Sequence, residues 1–109
     1  MSMVEVWKPV ALMRDISPDT GTLRINIGGE AVCLYQVDRK VCATQDRCPH
    51  GNASLSEGYI ENGTIECPLH QGVFDIATGK PLCPPVTTDL KVYSVKVDGA
   101  TILVRADES

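Results

Sequence analysis

Short β-branched runs, cut off by turn-forming residues about every ten positions, restrict this chain to an all-β fold. Thr22-Leu23-Arg24-Ile25-Asn26-Ile27 alternates apolar and polar side chains, as a half-buried strand does, and Gly28-Gly29 supplies the positive φ of a tight hairpin turn. Glu30 to Val37 is the returning strand, Asp38-Arg39-Lys40 turns the chain again, and Val41 to Thr44 follows. Near the end, Leu90 to Val97 and Thr101 to Arg105 flank the turn Asp98-Gly99-Ala100. Period-2 spacing puts Tyr93, Val95 and Val97 on one face, and likewise Ile102 and Val104. No stretch carries a helical 3.6-residue period of useful length.

Between Asp46 and Pro85 the texture changes. Gly51, Gly58, Gly63, Gly72 and Gly79 gather there with Pro49, Pro68, Pro81, Pro84 and Pro85, so turn chemistry outweighs strand pairing. Two weak hairpin signals persist there. Tyr59-Ile60-Glu61 faces Thr64-Ile65-Glu66 across Asn62-Gly63, and Val73 to Ile76 runs into Ala77-Thr78-Gly79-Lys80. The expected organisation of residues 1–109 is one domain: a β framework from 1–45 and 86–109, carrying a loop-rich insertion over 46–85. A chain of 109 residues can bury an ordinary hydrophobic core without disulfide staples, so its five cysteines call for another explanation.

Both histidines of the chain follow a cysteine closely: Cys48-Pro49-His50, then sixteen residues, then Cys67-Pro68-Leu69-His70. Gly/Pro loops let side chains converge free of strand alternation, so these four residues form a plausible ligand set. Zinc is the usual guest of two Cys and two His, but classical zinc fingers take both Cys from one knuckle and both His from one helix. Here each loop offers one of each, an order that suits two irons, one held by thiolates and the other by imidazoles. Thiolates at all four positions would leave such a cluster more negative in both oxidation states, so imidazoles make electron uptake easier.

The order C-x-H, sixteen residues, C-x2-H, within Cys48-Pro49-His50-Gly51 and Cys67-Pro68-Leu69-His70-Gln71-Gly72-Val73-Phe74-Asp75, resembles the Rieske-type ferredoxins of bacterial aromatic ring-hydroxylating dioxygenase systems. The Thr78-Gly79-Lys80 turn and the Cys83-Pro84-Pro85-Val86 loop extend the likeness over nearly the whole chain. It implies the Rieske fold, an antiparallel β-sandwich or barrel-like framework bearing a small cluster-binding subdomain, with one [2Fe-2S] cluster as cofactor. Cys48 and Cys67 would bind the inner iron, His50 and His70 the outer, and the loop around Cys83 would cover the cluster. The implied function is one-electron transfer from a flavin-containing, NAD(P)H-dependent ferredoxin reductase to a terminal ring-hydroxylating oxygenase, with no catalytic residues of its own. Rieske proteins of quinol-oxidising complexes resemble this chain too, but carry hydroxyl-bearing Ser and Tyr where Gly72 and Phe74 stand, and a disulfide where Ala53 and Leu69 stand. With fewer donors to the cluster sulfurs, the expected potential is low, about -150 mV in a range that reaches about +300 mV.

Charge and motif content narrow the alternatives. Asp and Glu outnumber Lys and Arg 14 to 10, and the basic residues are scattered, which argues against nucleic-acid or anionic-membrane partners. The first residues lack the apolar run of a secretory signal, so the expected location is the cytoplasm, and a small shuttle is expected to work as a monomer. An oxygenase would need two further histidines for its mononuclear iron, and a reductase would need a G-x-G-x-x-G run. Other readings are a structural zinc module and, by resemblance of fold, the small subunit of a nitrite reductase-like system. Cys33 and Cys42 read as strand residues packing as small hydrophobes, and Cys83 is expected to pack rather than ligate.

Overall fold

The computed structural model describes residues 7–49, 51–69, 72–83 and 88–105. Eleven strands, all paired antiparallel, form three sheets among these residues. The chain runs β1 (Trp7–Leu12), β2 (Thr22–Ile27), β3 (Glu30–Val37), β4 (Lys40–Gln45), β5 (Tyr59–Glu61), β6 (Thr64–Glu66), β7 (Val73–Asp75), β8 (Pro81–Cys83), β9 (Val92–Tyr93), β10 (Val95–Asp98) and β11 (Thr101–Arg105). Helical structure among the described residues is limited to two 3-10 turns, Met13–Asp15 and Leu55–Glu57, and no helix is long and apolar enough to cross a membrane.

The sheets stack as three layers because the middle one, in the order β2-β3-β4-β9, is apolar on both faces at β3. Alternation sends Val32 and Leu34 to one side, where they meet Ile16, Ala43, Ile102 and Val104 beneath the outer sheet β1-β11-β10. Cys33 and Tyr35 point the other way, into a second core with Ile65 and Phe74 of the small sheet β5-β6-β7-β8 and Ile76 in the turn after β7. Registers follow the turns: Gly28 and Gly29, both at positive φ, place Ile27 opposite Glu30, and Asp38 at φ 57 closes the next hairpin.

Three features depart from the sequence pattern. Leu90 to Val97 is not one strand: β9 pairs with β4 and β10 with β11, and the chain changes sheets at Ser94. Side-chain alternation survives that crossing only in part, since Tyr93 and Val95 pack against the framework core while Val97 is exposed near the hairpin end. Strand β1 gives little sequence signal because Pro9 lies in it; an edge position tolerates proline, and the register shifts between Pro9 and Ala11. The two weak hairpins are joined into one sheet, since β6 pairs with β7 and β7 with the short β8.

Candidate metal centre

Two loops built alike rise from this framework, each opening on a Cys-Pro pair. A residue before proline is biased to extended backbone, so Cys48, three residues past β4, and Cys67, directly after β6, open their loops under the same restriction. The Cys48 amide donates to the Ala53 carbonyl at 2.9 Å and the Cys67 amide to the Gly72 carbonyl at 2.7 Å. Both loops therefore close five residues on, although their Cys-to-His spacings differ by one. The first is tightened further by Gly51 N-H donating to the Cys48 carbonyl at 3.2 Å. Gly58 then lets the chain pass against β6, because a side chain there would collide with the Glu66 carbonyl.

Cys48 and Cys67 are both 1% exposed and belong to one packed group with Tyr35, Ala53, Leu55, Ile65, Phe74 and Leu90. The structure thus brings together the thiol half of the expected ligand set. His50 and His70 lie outside the described residues, and so do residues 84–87 of the expected covering loop. Among the described residues alone, no group of three or more His, Cys, Asp or Glu could hold a metal ion. The donor chemistry fits a [2Fe-2S] cluster: two buried thiol side chains stand on matched loops that each enclose one histidine in sequence, so the pair could offer sulfur donors to one iron and the histidines nitrogen donors to the other.

The remaining cysteines differ from this pair. Cys33 is fully buried, donates to the Leu34 carbonyl at 3.6 Å, and burial pushes its thiol from 9.0 up to about 12, so it stays protonated near neutrality. Cys42 is half-buried against the same core, and burial raises its pKa too, opposed by Lys40 and aided by Asp75. Both are packing residues, as the strand pattern implies. Cys83 is not: in β8, opposite Val73 at the edge of the small sheet, it is exposed.

Sequence reasoning missed Asp46. This carboxylate is 2% exposed, accepts the Ser56 amide at 2.9 Å and the Ser54 hydroxyl, and lies 3.6 Å from Arg24 Nε. The signal available was an Asp two residues before a Cys-Pro, with two serines eight and ten residues on, able to hydrogen-bond locally.

The chain belongs to the Rieske [2Fe-2S] domain family, whose profile matches residues 6–94. It is a member of the ferredoxin type, an electron carrier and not a catalytic enzyme, and its cofactor is a Rieske [2Fe-2S] cluster. It is 39% identical over 105 residues to the ferredoxin component of the naphthalene 1,2-dioxygenase/salicylate 5-hydroxylase systems of Ralstonia sp., covering 96% of this chain and 100% of that one. It is 42% identical over 105 residues, with the same coverage, to the ferredoxin component of the 2,4-dinitrotoluene dioxygenase system of Burkholderia sp. (strain RASC). Its fold matches a chain in the complex of reduced oxygenase and oxidised ferredoxin of carbazole 1,9a-dioxygenase at a TM-score of 0.83 and 38% identity, over 94% of this chain and 95% of that one.

Proposed function

We propose that Cys48, His50, Cys67 and His70 hold the cluster, thiolates on the buried iron and imidazoles on the outer one. Loaded in this way, the chain passes single electrons from a flavin-containing ferredoxin reductase to a terminal ring-hydroxylating oxygenase. The observation that carries this reading is the pair of equally closed loops, each opening on a cysteine that is 1% exposed. The cluster, when bound, takes up and releases one electron; the protein shields its sulfur side from water and gives partners a short way in. Residues 46–85 are then the cluster-binding subdomain, and 1–45 with 86–109 the framework that holds it.

Pro49 and Leu69, beside the ligands in sequence, are exposed, and Leu82 is exposed in β8. Exposed apolar residues beside the ligands would favour brief docking, since redox encounters use small interfaces that separate quickly. The naming of relatives as components of dioxygenase systems supports an oxygenase as acceptor. Gly72 has no side-chain donor and Phe74, fully buried, has no hydroxyl, which supports a potential at the low end of the Rieske range. The carrier works in the cytoplasm as a monomer.

Metal analysis with stopped-flow kinetics tests the reading. The expected result is two irons and two acid-labile sulfides per chain, reduction by a flavoprotein reductase, and reoxidation by a terminal oxygenase at rates that fall as salt screens the acidic chain. One zinc and no visible absorption would reverse the choice in favour of a structural module.

A further inference from the structure

Asp46 joins the end of β4 to both sides of the first ligand loop. Its amide donates to the Ala31 carbonyl at 3.0 Å and its carbonyl accepts the Leu55 amide at 2.7 Å. One carboxylate oxygen accepts the Ser56 amide at 2.9 Å, and the other accepts the Ser54 hydroxyl. Strand β2 helps from the same face: Thr22 Oγ1 donates to the Ser56 carbonyl at 2.8 Å, and Arg24 Nε approaches Asp46 Oδ2 at 3.6 Å. The side chain of Asp46 is 3% exposed and that of Arg24 is 60% exposed, so the carboxylate is kept from water while its counter-charge stays largely hydrated. Hydrogen bonds to a charged acceptor in such a place are about twice as strong as neutral ones, and the charge is poorly screened.

We propose that Asp46 is a positioning residue for the Cys48 loop, and that its buried negative charge, moderated by Arg24, holds down the potential of the cluster bound there. The inference rests on Cys48 being a ligand. A fixed negative charge two residues from that ligand disfavours the added electron, and Arg24 takes back part of this effect. The clamp also gives the loop its closed form before any metal enters, because all its bonds are made by the chain itself.

Three variants of the full chain test it, with hydrogen exchange and protein-film voltammetry as readouts. Asp46→Ala removes the acceptor, and the Cys48 and Leu55 amides should exchange about ten-fold faster or more. Asp46→Asn keeps an acceptor for Ser56 and removes the charge, so loop protection should survive while the midpoint potential rises. Arg24→Gln, at an exposed site, should lower it. Opposite shifts are a signature that a merely structural role would not produce. Unchanged exchange in Asp46→Ala would overturn the clamp. An unmoved potential in Arg24→Gln, or shifts of one sign in both charge variants, would overturn the electrostatic role even if Asp46→Asn failed to fold. If the parent chain binds no iron but Asp46→Ala still loosens the loop, the ligand assignment falls and the clamp stands.

Discussion

On one side of β3, Val32 and Leu34 meet Ile16, Ala43, Ile102 and Val104; on the other, Cys33 and Tyr35 meet Cys48, Cys67, Leu55, Ile65, Phe74 and Ile76. The first core is aliphatic and lies between two sheets whose alternation puts it there. The second draws on loops, sulfur and aromatic rings, and it has a polar seam where Tyr35 Oη and Thr44 Oγ1 share a hydrogen bond of 2.8 Å. Period-2 patterning places most of the framework core, with Ile16 added from the turn after β1. The other depends on the shape of two loops and on what those loops bind, so cofactor, pH and sulfur chemistry should act on it selectively.

The largest effect that separates the two cores comes from the thiols. Cys48→Ala or Cys67→Ala should abolish iron loading and open the Cys67 loop to hydrogen exchange, with β3, β11 and the loop clamped by Asp46 still protected; full iron retention in either variant would break the distinction. Next come the two cores themselves. Leu34→Ala should cost about 2–5 kcal/mol, and Phe74→Ala about 3–5 kcal/mol, in denaturant titrations. Only Phe74→Ala should also hasten cluster loss, seen as bleaching of the visible spectrum, because only Phe74 shares a core with Cys48 and Cys67.

Alkaline pH should reach the cluster side through Cys33. Its pKa is raised from 9.0 to about 12, so the folded chain holds that proton more tightly than the unfolded chain. The stability this provides is complete below pH about 9 and is lost as pH climbs through about 12. Denaturation of the wild type should show this decline, and Cys33→Ala should flatten it. Burial pushes Tyr35 upward as well, in the same direction. The smallest effect belongs to Cys83→Ala: an exposed thiol contributes little packing, so stability should stay within about 0.5 kcal/mol and the visible spectrum should not change.

The framework was legible where alternation and glycine turns coincide, as from Thr22 to Gln45, because a buried face and a two-residue turn together fix register. It was illegible at Trp7–Leu12, where Pro9 masks an edge strand, and at Ser94, where the chain passes from one sheet to another. Sheet switching is decided by which neighbour has a free edge, a property of the assembled layers and not of the segment. Of the four residues from which the candidate site is read, the structure brings Cys48 and Cys67 into one buried group; the motifs Cys-x-His and Cys-x2-His are rare by chance and chemically specific. Asp46 was not legible, because its sequence signal, two serines eight and ten residues on, is shared by many solvated carboxylates. Cys83 misled for the same reason: an apolar setting in sequence, Leu82-Cys83-Pro84, says nothing of whether another layer covers it.

Pulsed EPR on the reduced chain, grown with natural and with 15N-labelled histidine, tests the central claim most directly. The account predicts hyperfine coupling to two histidine nitrogens, changed by the label, and lost with the cluster signal itself in Cys48→Ala. A reduced cluster signal with no histidine coupling would mean that His50 and His70 are not its ligands, and would contradict the account.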